Sequence, residues 1–460
     1  MMPRILNIIL YGATFCLGFS TLVSAMPWPR YADYHIALDS RFSADQWPNG
    51  YGHIIQRTDL RHRLQLKVFR IGARDGITFN FDADVGADLG PEPRDFQHGI
   101  DDRRTALNLY AAELQLSQVI PKTTVRMGRH IFVDAIGLDG VDGMSIRNGH
   151  LPGMDVVVRG GLATRRSWWS IGPHLGYLDG APQRENIGYT VGVALESRYW
   201  TWLSAQTAWR RIFDPDILRD EVGTHVRWGI TPTASLSVQT IADLLVLDLA
   251  ELNLTADYAI SPTVAVTNGI GFNAPRFAAD TIWTAFDSEP YGFASIAVKH
   301  VSSGLSTRLA FIERVFDIAP NDGRHVLVAP QFKTDALAHE GQLNMDYRTF
   351  VGVHPKSIGL SGRFMNGYGG QRSSLSVHGS HPLFWPKPQR PIYIRGQLGG
   401  FWFNDKDRHR WDGLSGWAQS GLEWPMDEGL ATELTVEGFF GNWAQSRVRT
   451  FLAVKVDNWW

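Results

Sequence analysis

Residues 77–90 alternate between apolar and polar side chains without interruption. The odd positions are apolar throughout, while the even positions carry Thr, Asn, Asp or Gly, including Asp82, Asp84 and Asp88. A two-residue period predicts a β-strand, because successive side chains of a strand point to opposite faces. A strand with one dry face and one carboxylate-bearing face fits a wall that separates lipid from water.

The preceding segment, residues 60–68, has the complementary pattern. Leu and Val share one face, with His62 as its single polar member, and the other face carries basic side chains. Opposite charges on neighbouring strands form favourable pairs, and the interior of a barrel is where such pairs are kept. With a turn at residues 73–76, we expect Lys67 to lie opposite Asp82, Arg63 near Asp84, and Arg61 near Asp88.

The same alternation recurs along the chain, with short separators such as residues 230–233 and 260–263 that predict tight turns. No helical period persists. The sequence therefore predicts an all-β fold, a single antiparallel transmembrane β-barrel of about 18 strands (range 16–22). Longer polar connections at residues 90–102, 273–290, 316–341 and 404–413 are the candidate external loops.

The N-terminus predicts secretion. Residues 1–25 combine Arg4, an apolar stretch and a small-residue cleavage context, the pattern of a signal peptide. We expect residues 26–50 to form a periplasmic lead-in that includes a strand at 34–42, and residues 51–460 to form the barrel. The only cysteine, Cys16, lies in the predicted signal peptide.

Composition fits this picture. The chain has 46 Gly and 17 Trp, which suit tight turns and the membrane–water interface, respectively. The net charge of −2 becomes −3 without Arg4, which is too balanced to suggest nucleic acid. The alternative is a soluble secreted propeller or solenoid, but no fixed repeat of roughly 20–50 residues is present.

The C-terminal segment 446–460 alternates again and ends in an aromatic residue. We expect Val454, Val456 and Trp460 on its apolar face to form the signal that the barrel-assembly machinery recognises, and this last strand to close the barrel against the first.

Placing the apolar faces outward predicts which charged side chains line the lumen. These charges either brace each other across the barrel or attract anions, and both interpretations remain open. Arg308 to Arg395 have fewer carboxylates on neighbouring segments, which favours an anion-attracting sector there. The lumen candidates are Arg61, Arg63, Lys67, Asp82, Asp84, Asp88, Arg126, Arg159, Arg227, Arg308, Arg348, Arg363, Arg395, Arg447 and Arg449.

Tryptophans divide between the membrane interface and the lumen. Interfacial positions are the default, represented by Trp168, Trp169, Trp385, Trp424 and Trp443. Alternation places Trp202, Trp417 and Trp459 inward, where rings could stack on sugars. No Ser/His/acid arrangement supports catalysis, and residues 404–413 lack the spacing of an EF-hand. We expect no enzyme activity, cofactor or metal.

One segment resembles a known class. Arg126, Gly128, Arg129 and His130, followed by Asp142 and Gly143, resemble the "R-x-G-R-polar … DG" pattern of outer-membrane porins and of the alginate-export type of barrel. His130 stands where glutamine is usual. Residues 60–90 resemble the opening strands of barrels that accompany Wzx/Wzy-type polysaccharide export in myxobacteria.

These resemblances imply a passive conduit in the bacterial outer membrane for an anionic polysaccharide. Its partners would be outer-membrane lipid, the assembly machinery and a periplasmic polysaccharide-export protein. Two alternatives remain: a diffusion porin for small anionic or neutral solutes, and a barrel that anchors surface polysaccharide without passing it.

Overall fold

The computed structural model describes most of the chain from Asp33 to Trp459. The described residues are 33–48, 54–71, 76–88, 105–163, 188–197, 200–213, 219–245, 247–274, 291–316, 337–367, 370–387, 390–404, 413–427, 429–441 and 447–459. None of them forms a helix long and apolar enough to cross a membrane. The predicted signal peptide lies outside these ranges.

Within the described residues, 22 strands form one antiparallel sheet. They are β1 (Asp33–Pro48), β2 (Ile54–Phe69), β3 (Ile77–Asp88), β4 (Thr105–Ile120), β5 (Thr123–Asp134), β6 (Gly137–Asn148), β7 (Met154–Ala163), β8 (Tyr189–Ser197), β9 (Leu203–Phe213), β10 (Arg219–Thr231), β11 (Ala234–Asp243), β12 (Asp248–Ser261), β13 (Val264–Asn273), β14 (Tyr291–Ser302), β15 (Leu305–Phe316), β16 (Leu337–Val351), β17 (His354–Gly367), β18 (Gly370–Lys387), β19 (Arg390–Asn404), β20 (Gly413–Asp427), β21 (Leu430–Gly441) and β22 (Arg447–Trp459).

The sheet closes on itself because β1 pairs with both β2 and β22. The predicted all-β barrel and its closure by the last strand are confirmed, and the 22 strands exceed the central estimate of about 18 but lie at the upper end of the predicted range of 16–22. At ~4.8 Å between strands and a tilt of ~40°, such a barrel is roughly 44 Å across between backbones.

Strand β1 corrects the expected domain division. Residues 33–48 were assigned to a periplasmic lead-in, but they pair along their whole length with β2 and over most of it with β22. The predicted strand at 34–42 is therefore part of the barrel wall. A barrel cannot leave the backbone groups at the edge of its last strand unpaired. Strand β1 supplies the hydrogen-bond partners for that edge of β22.

Connection lengths define the two ends of the barrel. Every connection from an even strand to the next odd strand is short, and seven of the ten are two residues long, including those within the predicted turns at 230–233 and 260–263. All the long connections join odd to even strands: 89–104, 164–188, 274–290, 317–336 and 405–412. Four of these correspond to the candidate external loops, and the pattern analysis missed 164–188. Outer-membrane barrels place short turns in the periplasm and long loops outside.

The two faces of the wall differ as the alternation predicts. Outward positions carry exposed apolar side chains such as Leu309, Ile358 and Leu398. Near the short-turn end, exposed outward aromatic residues occur three or four residues from the strand ends: Trp228, Tyr258, Tyr347 and Trp424. This girdle marks the membrane–water interface on the periplasmic side.

Register corrects two of the three charge pairs expected between β2 and β3. Arg63 lies opposite Asp84 as predicted, although its side chain bonds to Asp82 at 2.7 Å. Lys67 lies opposite Asn80 rather than Asp82, and Arg61 lies opposite Gly86 rather than Asp88. A strand pair has one register, and the register that places Arg63 opposite Asp84 differs by two residues from the one that the other two expected pairs need.

Candidate functional site

One hairpin leaves the barrel wall and enters the lumen. Strand β5 pairs with β4 only as far as Arg129, and β6 pairs with β7 only from Val141 onward. Between these points, residues 131–140 pair only with each other, and His130 pairs with Val141 at their base. We call residues 130–141 the inward hairpin.

The segment that resembles the porin pattern forms the hinge of this hairpin. Gly128 has a φ of +105°, and a Cβ there would lie 2.1 Å from the carbonyl oxygen of Ala112, so only glycine fits. Arg129 pairs with Asp142 on the other strand of the hairpin. The motif therefore bends β5 away from β4.

The tip of the inward hairpin packs against the lumen face of the strands that follow it, β7–β11. Ala135 and Ile136 are buried against Ala194, Ala208 and Ile241. These three wall residues belong to one row of direct cross-strand partners that runs from β7 to β11. The remaining members of the row are Val157 and Gly223, and a Cβ at Gly223 would lie 2.7 Å from the carbonyl oxygen of Ala135.

Buried ion pairs anchor the same tip. Asp134 pairs with Arg159 on β7, and both side chains are 2% exposed. Arg210 on β9 bonds to Asp139 of the hairpin at 2.8 Å and to Glu221 on β10 at 2.6 Å. Removing one partner of a buried pair leaves an uncompensated charge, so this network holds the hairpin inside the lumen.

His130 lies at the base of the hairpin and is 1% exposed. Its Nδ1 lies 3.0 Å from the carbonyl oxygen of Gly128, and its Nε2 has no hydrogen-bond partner among the described residues. Within the described residues, only one ring nitrogen of His130 is therefore satisfied.

In the described part of the chain, seven of the fifteen predicted lumen charges brace the wall in ion pairs: Arg63, Asp82, Arg126, Arg159, Arg363, Arg395 and Arg449. Arg126 bonds to Glu113 at 2.6 Å, and Arg363 shares Glu340 with Arg314, each at 2.5 Å. The other pairs are Arg63–Asp82, Arg395–Glu423, Arg449–Glu437 and Lys455–Glu433. Arg363 and Arg395, expected to have fewer carboxylates on neighbouring segments, are both paired. The side chain of Asp88 lies outside the described part, Asp84 accepts a hydrogen bond from Tyr110, and Arg447 lies on the inward face of β22.

Four inward cations form a different group. Arg227, Lys299 and Arg348 make no ion pair or side-chain hydrogen bond with described residues, and Arg308 contacts only Gln342, at 3.5 Å. Lys299 and Arg308 are direct cross-strand partners. All four lie three or four residues from a short turn, at the depth of the aromatic girdle. We call them the unpaired cation sector.

Like charges directly opposite each other destabilise a sheet. The Lys299–Arg308 pair therefore destabilises this part of the wall. Asn344 is the inward partner of Arg308 on the next strand, and it brings no opposite charge. Such an arrangement attracts anions in a lumen whose low-dielectric walls focus the field.

The tryptophans divide differently from the expectation. Trp417 points inward as predicted, and Trp424 lies outward in the girdle. Trp202 lies in the β8–β9 connection at the short-turn end, stacked on Trp200 with ring centroids 5.8 Å apart, rather than on a lumen face. The side chains of Trp168, Trp169, Trp385, Trp443, Trp459 and Trp460 lie outside the description.

The residues that anchor the inward hairpin were not predicted from the sequence: Asp134, Asp139, Arg210, Glu221 and Ile136. A signal was available in residues 131–136, where apolar residues occupy both faces and break the two-residue period. A strand that is apolar on both sides is typically buried on both sides; here Ala135 and Ile136 are buried, whereas Val133 is 69% exposed.

A closed antiparallel barrel with an apolar exterior and a charged interior is the only sheet that satisfies its backbone within a bilayer. These features define an outer-membrane β-barrel, and the protein belongs in the bacterial outer membrane. In the described residues, no group of three or more His, Cys, Asp or Glu side chains could hold a metal ion.

Comparison with known proteins gives structural likenesses only. No protein-family model matches the sequence, and no curated protein matches it. Among solved structures, the chain is similar to Pseudomonas aeruginosa OccK9 (OpdG), with 13% identity, TM-score 0.45, and 93% of this chain and 98% of the other covered. It is also similar to OpdK with vanillate (11%, 0.44, 93% and 99%) and to OccK8 (OprE) (12%, 0.43, 93% and 98%), both from the same species. With TM-scores below 0.5, the fold assignment rests on the strand pairing itself.

Proposed function

We propose that the protein is an outer-membrane diffusion channel for small polar solutes, with a preference for anions. The observation that carries the preference is the unpaired cation sector. Lys299 and Arg308 face each other on the lumen side, and both side chains are exposed. A like-charge pair that destabilises the sheet is kept where its positive charge acts on a passing anion.

The inward hairpin supports small solutes over a polymer. Its tip lies inside the lumen against the row on β7–β11, and buried ion pairs hold it there. A polysaccharide conduit needs a wide passage, whereas a diffusion channel gains selectivity from a narrowing. Polysaccharide export with a periplasmic partner is therefore the second candidate, supported by the wide 22-stranded wall.

The test is ion selectivity in planar bilayers. Wild-type protein under a KCl gradient should show a chloride-selective reversal potential. The double variant Lys299→Gln/Arg308→Gln should lower the chloride-to-potassium permeability ratio by about twofold or more, because it removes the excess lumen charge. Lys356→Gln is the matched control, since Lys356 sits at an outward position near the same rim.

An equal effect of the control and the double variant would refute the proposed role of the sector. The export alternative is tested in cells. Loss of surface polysaccharide on deletion, restored by wild type, would favour export, whereas normal polysaccharide with impaired uptake of small anions would favour the diffusion channel.

A further inference from the structure

An aromatic surface faces the lumen on the side away from the inward hairpin. Trp417 and Phe439 are inward cross-strand partners on β20 and β21, and Phe401 on β19 lies with its ring centroid 6.3 Å from that of Trp417. The interior of a transmembrane barrel is otherwise polar. We call Phe401, Trp417 and Phe439 the aromatic shelf.

The orientation of Trp417 follows from its neighbour. Gly399 is its direct partner on β19, and a Cβ at Gly399 would lie 2.3 Å from Cζ2 of Trp417. The indole ring therefore lies against the wall where the missing side chain leaves room. Its other face remains half-buried and turned to the lumen.

Uncharged hydrogen-bonding side chains lie beside the ring on β18 to β20, whereas the inward partners of Gln419 and Phe439 on the next strands, Glu437 and Arg447, are charged. Ser376 is the partner of Gly399 on β18 and bonds to Ser361 at 2.6 Å. Gln397 and Gln419 face each other in the next inward pair along β19 and β20. Hydroxyl and amide groups both donate and accept, so they suit a ligand with many hydroxyls rather than an ion.

We propose that the aromatic shelf is a binding site for a neutral pyranose sugar. The C–H face of a pyranose ring is flat and apolar and would stack on Trp417, while the hydroxyls at its edge would reach Ser376, Gln397 and Gln419. A few polar groups placed beside an apolar surface fix ligand orientation in this way. The proposal rests on the proposed channel function, because the sugar reaches the shelf through the lumen.

A ring over a glycine also stabilises a sheet, so the test must separate binding from stability. Phe293 offers a matched control: it is inward on β14, and a Cβ at its partner Gly271 would lie 2.9 Å from Cε1 of its ring. It lies six strands from Trp417, so a purely structural role predicts the same behaviour at both positions.

The experiment titrates methyl α-glucoside and maltose against ion current through single channels, with sorbitol as a hydroxyl-rich probe that lacks a ring. Wild type should show a saturable reduction of current with the two sugars and only a linear viscosity effect with sorbitol. Trp417→Leu should raise the half-saturating concentration by about five- to tenfold, and Phe293→Leu should leave it unchanged. Gly399→Ala keeps the indole but displaces it, so it should weaken the response as well.

Equal responses to sugar and sorbitol, or equal effects of the two leucine variants, would overturn the proposal. Heat-modifiable migration in gels confirms that each variant is folded. If wild type carries no ion current at all, the channel function fails. Calorimetric titration of the same sugars into detergent-solubilised protein then decides the shelf separately: binding that Trp417→Leu removes supports the site, and absence of binding rejects it.

Discussion

The inward hairpin should leave the lumen when its tip and its anchor are both weakened. The perturbation is the double variant Ile136→Ala/Asp139→Asn. Ile136 is 6% exposed within the apolar cluster on β8–β11, and Asp139 accepts a bond of 2.8 Å from Arg210. Arg210 keeps Glu221 as a partner, so the variant releases the hairpin without leaving the arginine alone.

The magnitude follows from these contacts. Removing most of a buried Ile side chain costs about 2 kcal/mol or more, and replacing one carboxylate of a charged hydrogen bond costs about 1–3 kcal/mol. Both changes act on one hairpin and do not add fully, so we take about 3 kcal/mol in total. That loss raises the undocked fraction roughly a hundredfold.

Two assays read this change. Single-channel conductance should increase and become noisier as the narrowing is lost. The single variant Ile136→Cys should react slowly with a thiol reagent, because the hairpin stays docked. The double variant Ile136→Cys/Asp139→Asn should react much faster. Background is low, because the chain's only cysteine is Cys16 in the predicted signal peptide. Ile270→Ala is the control, since that side chain is outward and 57% exposed. Unchanged conductance together with unchanged labelling would refute the docking of the hairpin.

Three further predictions follow from single positions. Leu254→Lys should impair membrane assembly, at a cost of about 2–4 kcal/mol if it lies near the bilayer midplane, while Thr255→Lys on the opposite face of β12 should be tolerated; heat-modifiable gel migration checks both, and equal behaviour would contradict the assigned faces. Gly128→Ala should cost more than about 2 kcal/mol, because it adds strain at positive φ to a backbone clash, and a folded variant with wild-type conductance would argue against the hinge. Glu340→Gln should destabilise the protein by about 3 kcal/mol, measured as a lower denaturation midpoint. It should also raise anion selectivity, because Arg314 and Arg363 lose their shared carboxylate. Glu313→Gln, on the outward side of the same strand pair, should change neither property.

The wall could be predicted from alternation, because lipid and water impose a period of two on every spanning strand. Residues 77–88 and 447–459 form strands with the faces that their patterns indicate. Strand number was less accessible: short strands such as β7 and β13 have only ten residues and little contrast between faces. Exact pairing was also out of reach, since a shift of two residues preserves the face while changing the partner, as at Lys67 and Arg61.

The hairpin could not be predicted from periodicity, because its position depends on contacts between residues that are distant in the sequence. Its anchors lie far apart in the chain: Asp139 and Arg210 are 71 positions apart, and only the closure of the barrel brings them together. The pattern around Arg126 and Gly128 did mark the right segment, although it did not reveal the bend. Ion-pair partners depend on register in the same way, so the carboxylates that pair with Arg363 and Arg395 could not be assigned from the sequence.

The lumen separates its tasks along the barrel axis. The anchors of the inward hairpin, Arg159, Arg210 and Glu221, lie near the ends of their strands on the long-loop side. The unpaired cation sector lies near the short turns, at the girdle on the opposite side. Charges that hold structure are therefore paired and buried, and salt screens them little. The sector cations are exposed to lumen water, so their field on a passing anion should weaken as ionic strength rises. Anion selectivity should therefore fall as the salt concentration rises, while the conductance set by the hairpin scales only with bulk conductivity. A selectivity that persists at 1 M salt would show that it originates in the narrowing instead.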